Sequence, residues 1–162
     1  MKKISHLLIF IILSINIFSC TGYQPILDSS RFQFKIVDSS ILGDKKIGNQ
    51  IYSKLHYLSK STKDNANIKN IYISISAVKN KNSTAKDKTG KILGYKVNLS
   101  TAIIVKNNTT GELILNEKFT TSASYDVQDQ YSETLKLENK ILNNLINKTY
   151  EDLLIKLIKN IS

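Results

Sequence analysis

The chain has 162 residues, the length of one ordinary domain, with 23 basic against 13 acidic residues, a formal charge of +10, one Cys, one Pro and no Trp. That length excludes a multidomain enzyme or a polytopic transporter. The lone Cys excludes an internal disulfide, and with two His it cannot build the usual structural zinc site. The charge resembles a nucleic-acid footprint, but Arg31 is the only Arg and the chain is crowded with Lys, Ile and Asn, the usage of an AT-rich genome. Part of the basicity is therefore readable as codon bias.

Lys2 and Lys3 give a positive start, and Leu7 to Phe18 (LLIFIILSINIF) is apolar apart from Ser14 and Asn16. That run is about half of the ~20 residues a spanning helix needs, and it matches the apolar region of a secretory signal, which is removed rather than folded. The cleavage region, Ile17-Phe18-Ser19-Cys20, resembles the bacterial lipobox, with Phe18 bulkier than that pattern usually has. The resemblance implies that residues 1–19 are a lipoprotein signal peptide and that Cys20 carries a covalent N-acyl diglyceride as the new N-terminus, with no other cofactor. A free thiol in an oxidising compartment is a liability, so lipidation accounts for Cys20 better than an ordinary signal peptide does. Thr21 stands where an Asp resembles the inner-membrane retention signal, which leans towards the outer membrane. The expected mature chain, 143 residues from Cys20 to Ser162, loses Lys2 and Lys3 and keeps 21 basic and 13 acidic residues, a formal +8. Acyl chains at about 0.8 kcal/mol per buried CH₂ tether it to a membrane without spanning, where nucleic acid is not an expected partner.

Residues 20–31, with Pro25, read as a lipidated tether, and 32–162 as a single domain. Residues 32–37 (FQFKIV) alternate as a strand. Asp44 then caps a helix with Ile47, Ile51, Leu55 and Leu58 at three- or four-residue spacing, ending near Lys60. Residues 61–69 read as a loop. Ile71, Ile73, Ile75 and Ala77 predict a second strand over about 70–79, followed by a solvated, mobile connection from Lys79 to Gly90. A third strand runs from Ile92 to about Lys106 with Tyr95, Val97, Leu99, Thr101, Ile103 and Val105 on one face. Asn107 to Gly111 is a hairpin signal, and the fourth strand passes through Leu113, Leu115, Phe119, Thr121, Ala123 and Tyr125. A helix of about thirty residues, capped by Asp129 or Ser132, ends near Ile161. Its lysines are scattered, so its apolar face is expected to cover the sheet. The order β-α-β-β-β-α predicts a two-layer α+β sandwich: a four-stranded, mostly antiparallel sheet with two helices on one face.

Cys20-Thr21-Gly22-Tyr23-Gln24-Pro25 resembles the C-G-[FY]-x-P opening of the lipopolysaccharide-assembly lipoproteins of the LptE family, with Thr21 as an extra residue. Ser124-Tyr125-Asp126-Val127-Gln128-Asp129-Gln130-Tyr131-Ser132, with the later Glu138-Asn139, is similar to a junction of alphaproteobacterial members. The resemblance implies an outer-membrane lipoprotein that faces the periplasm, plugs the lumen of a large LptD-like β-barrel, and assists lipopolysaccharide assembly in that translocon. It also implies a basic residue leading into the third strand that binds the glycolipid. Lys88 occupies the comparable place, with Lys86 and Lys91 beside it, and Lys140 is a further basic candidate on the last helix. These lysines read equally well as ordinary solvated residues. The other reading of the chain is a lipid-anchored scaffold or adaptor of another envelope complex that binds no glycolipid.

The chain is not expected to be an enzyme. It has no nucleophile elbow, and Gly43 to Gly48 lacks phosphate-loop spacing. His56 has no sequence-adjacent carboxylate and reads as an exposed or half-buried helix residue. Asp126, Asp129 and Glu133 suit capping and helix-dipole complementation better than acid–base work. Tyr95, Tyr125 and Tyr131 read as sheet and core residues.

Overall fold

A computed structural model of the chain describes residues 34–61 and 68–161. The expected signal peptide and tether, Cys20, the first two residues of the expected first strand and most of the expected 61–69 loop lie outside the described residues. The elements are β1 (Phe34–Gly43), α1 (Lys45–Ser61), β2 (Lys69–Lys86), β3 (Ile92–Asn107), β4 (Leu113–Asp126) and α2 (Tyr131–Ile161). The strands lie in the order β1-β2-β3-β4, with β1 parallel to β2 and the other pairs antiparallel. This is the expected α+β sandwich, with α1 supplying the crossover that a parallel pair needs.

Period-two alternation puts one apolar set on the helix side of the sheet. Ile73 pairs with Val105 and Ile75 with Ile103, while Val105 pairs with Leu115 and Thr101 with Phe119. Ile47, Ile51 and Leu55 of α1 close this face over β1 and β2, and Leu145, Ile146, Leu153, Leu154, Leu157 and Ile161 of α2 close it over β3 and β4. Asp44 caps α1 as expected, its Oδ1 accepting from the Ile47 N–H at 3.1 Å. Lys69 Nζ donates to the Ile161 carbonyl at 2.6 Å, a cation on the last turn of α2 where the helix dipole favours one.

Three boundaries depart from expectation. β1 runs on to Gly43 because a bulge at Val37 resets the alternation, so Ser39 and Ile41 join Ile36 on the helix side. β2 runs on to Lys86. Residues 79–86, expected in a mobile connection, instead pair with β3 from Leu99 down to Ile92. Only 87–91 turn the chain: Asp87 Oδ1 accepts from the Thr89 N–H (2.8 Å), the Thr89 hydroxyl (2.7 Å) and the Lys91 N–H (3.0 Å), and Gly90 takes φ +87°. At the start of α2 neither Asp129 nor Ser132 is the cap. Thr134 fixes the entry, its hydroxyl accepting from the Gln128 N–H at 2.9 Å.

Candidate functional site

Beyond Ala77 the inward positions of β2 change from Ile to Lys without a break in register. Lys79, Lys81 and Ser83 stand opposite Leu99, Val97 and Tyr95 of β3, and Tyr95 stands opposite Tyr125 of β4. The first turns of α2 lie over this stretch. Glu138 Oε2 accepts from Lys81 Nζ at 2.6 Å and from the Tyr125 hydroxyl at 2.8 Å, and Lys79 Nζ lies 3.6 Å from Oε1. The Lys81 ammonium also sits 4.0 Å from the Tyr95 ring centroid, within cation–π range.

Burial works against ionising both members of this pair. In Lys81 it is outweighed by the hydrogen bonds to Glu138 and Tyr125, which raise the ammonium well above the ordinary lysine range. In Glu138 it is outweighed by the hydrogen bonds from Lys81 and Tyr125, which hold the carboxyl below the ordinary range. Burial and the neighbouring carboxylate lift the Tyr125 phenol. Groups locked in their charged forms near neutral pH make poor general acids or bases, so the cluster holds charge in place rather than moving protons.

Beside it opens a cleft of about 280 Å³, bounded by Lys81, Lys91, Ile92, Tyr95, Tyr131, Leu135 and Glu138 among others. Its lining is amphiphilic, with Leu135 39 % and Tyr131 76 % exposed, and Leu93, next in the chain to the lining Ile92, is 44 % exposed. The exposure of Tyr131 corrects its reading as a core residue. A larger groove of about 510 Å³ between α1 and α2 presents mainly carboxamides, Asn49, Gln50, Asn143 and Asn147.

The β2–β3 hairpin brings three of the sequence-derived candidates together. Lys86 ends β2, Lys88 lies in the turn, and Lys91 leads into β3 and lines the cleft. Lys140 stands apart, exposed on α2 and with no ion pair among the described residues. Cys20 lies outside the described residues. His56 is half-buried and stacks on Tyr52 with centroids 5.4 Å apart. Among the described residues no three His, Cys, Asp or Glu gather as a metal site. Lys79 and Lys81 were not among the candidates, although one signal for them was present. The odd-numbered run Ile71, Ile73, Ile75, Ala77 continues through both.

Solved lipoproteins share this fold. A rare lipoprotein B from Shewanella oneidensis matches with 11 % identity and a TM-score of 0.52, over 75 % of this chain and 94 % of that one. A minor lipoprotein from Acinetobacter baumannii matches with 10 % identity and a TM-score of 0.56, over 80 % and 92 %. A lipoprotein B from Nitrosomonas europaea matches with 12 % identity and a TM-score of 0.58, over 83 % and 88 %. At such identities the likeness is one of fold. No protein-family model matches the sequence, and no curated protein matches it significantly.

Proposed function

We propose that the chain is an LptE-like outer-membrane lipoprotein, anchored through Cys20, that plugs the lumen of an LptD-like β-barrel and assists lipopolysaccharide assembly there without catalysing a reaction. The observation that carries this reading is the uncovered face of the sheet. Across β2, β3 and β4 its rows towards the hairpin read Ser76, Ala102, Lys118; Val78, Ser100, Thr120; Asn80, Asn98, Ser122; and Asn82, Lys96, Ser124, polar apart from Val78 and Ala102, while Tyr72, Ile104 and Leu113 interrupt the rows at the other end. Such a surface suits the interior of a large barrel, which is polar. The lipobox-like Ile17 to Cys20, the opening through Pro25 and the lipoprotein fold support the same reading.

Within it, Lys86, Lys88 and Lys91 would meet the phosphates of the glycolipid as point charges, with Leu93, Tyr131 and Leu135 beside its acyl chains. Two measurements test the proposal. Affinity purification from membranes should recover a barrel far larger than this chain, and recovery of another envelope complex would favour the scaffold reading. Lys86→Glu, Lys88→Glu and Lys91→Glu combined should abolish binding of purified lipopolysaccharide. Unchanged binding would remove the hairpin from the proposal.

A further inference from the structure

The two edges of β2 differ along its length. From Lys69 to Ala77 the strand is flanked by β1, but β1 stops at Gly43, opposite Ala77. Gly43 takes φ +70°, and a Cβ there would stand 2.2 Å from the Ala77 carbonyl oxygen. The Asp44 N–H donates to that oxygen at 2.7 Å, and the chain leaves the sheet for α1. From Val78 onward β2 pairs only with β3.

Direction along this edge follows from alternation. The Ala77 carbonyl points towards β1, the Asn70 carbonyl accepts from Asn108 on the β3 side, and the Leu93 carbonyl points towards β4. Even-numbered residues of β2 therefore bond to β3. The N–H and C=O groups of Lys79, Lys81 and Ser83 face outward and meet no strand among the described residues, until the bulge at Ser83/Ala85 turns the ladder. The run spans about 20 Å, the length of an ordinary strand.

Natural sheets often guard such an edge by hanging lysines across it. Here Lys79 and Lys81 are drawn onto the helix side by Glu138, which leaves the backbone row clear. The charge nearby is net positive, because the carboxylates of Asp44 and Asp87 keep their charge but are outnumbered by lysines. Lys45, Lys46, Lys86 and Lys88 form no ion pair among the described residues. Of the local acids, Asp44 caps α1, Asp87 closes the turn and Glu138 is paired.

We propose that the outer edge of β2 from Val78 to Ser83 accepts an extended, carboxylate-bearing segment of another protein as an added strand. This is strand addition at an exposed edge: backbone hydrogen bonds supply affinity, and the lysines select an acidic partner. A second copy of this edge would bring like charges together. Phe34, the first described residue, pairs with Lys69 at the far end of β2. The proposal does not depend on glycolipid handling.

The test uses the purified protein and three capped peptides of about nine residues in which Thr alternates with Glu, Gln or Lys. Residue-resolved amide exchange should slow at Lys79, Lys81 and Ser83 by at least about tenfold with the Thr–Glu peptide, less with Thr–Gln and not at all with Thr–Lys. Val78, Asn80 and Asn82, already bonded to β3, should not change. Ser83→Pro removes an outward N–H that the fold does not use, so it should keep its thermal transition and lose the protection. If that variant unfolds, the three peptides on the unaltered protein decide alone. No slowing with Thr–Glu, equal slowing with Thr–Lys, slowing along β1 or β4 instead, or slowing that grows with protein concentration without peptide would each overturn the proposal.

Discussion

One sheet carries two kinds of inner surface. At the end where β1 lies, the inward side chains Ile71, Ile73, Ile75, Ile103 and Val105 are fully buried beneath α1 and the C-terminal half of α2. At the hairpin end Lys79, Lys81, Tyr95 and Tyr125 stand beside the buried Leu99 and Val97, and a single carboxylate from the first turns of α2 closes them. Burial of apolar area is what stabilises the first surface. A partly exposed ion pair is worth only about 0–1 kcal/mol and cannot do the same for the second. The comparison teaches that burial, and with it most of the stability, is concentrated at one end. Substitutions at the polar end are therefore expected to leave the apolar one folded.

Substitutions that break this division should differ in size. Leu153→Ala, in the fully buried face of α2, should cost about 3 kcal/mol in chemical denaturation through a cavity that cannot collapse completely. Gly43→Ala, forced to φ +70° against the Ala77 carbonyl, should cost about 1–3 kcal/mol and lower the thermal transition. Glu138→Gln should cost about 1 kcal/mol or less, with a pH signature. The Glu138 carboxyl is held below its ordinary range despite burial, by Lys81 and Tyr125. Its contribution is therefore full above about pH 4.3 and lost as the pH falls through the lowered folded value. Denaturation curves of the two proteins should differ at neutral pH and converge in acid. The smallest effect is expected from Lys86→Glu, Lys88→Glu and Lys91→Glu together, whose stability should stay within about 0.5 kcal/mol. A large loss there would show that the hairpin is structurally coupled to the core.

The apolar end was legible in the sequence because its signals are redundant. Ile71 to Ala77 alternate, Ile47, Ile51 and Leu55 repeat at helical spacing, and Asp44 and Asn107 punctuate them in the expected way. The polar end was not, because residues 79–86 (KNKNSTAK) have no apolar alternation and, in Thr84, a single β-branched side chain of the kind that marks a strand. β3 makes them one: its own pattern from Ile92 to Val105 is long enough to recruit a partner of any composition, and Asp87 with Gly90 supplies the turn. The same misreading hid the cluster, since lysines in a loop have no shared face to occupy. The ionic role of Glu138 was not legible, because its lysine partners lie 57 and 59 residues earlier in the chain and only the folded register brings them together.

The parallel pairing of β1 with β2 also fixes a distance. The chain enters the fold at Phe34, level with Lys69, and the hairpin turns after Lys86 at the other end of the same strand. Eighteen residues of β2 make a ruler on the order of 55 Å long at about 3.3 Å per residue. Phe34, the first described residue, therefore stands at one pole, and the hairpin lysines are presented at the other. Shortening the ruler by an even number of residues in β2 and β3 together would keep the remaining side chains on their own faces while moving the lysines closer to Phe34. It separates how far the hairpin must reach from how tightly it must bind.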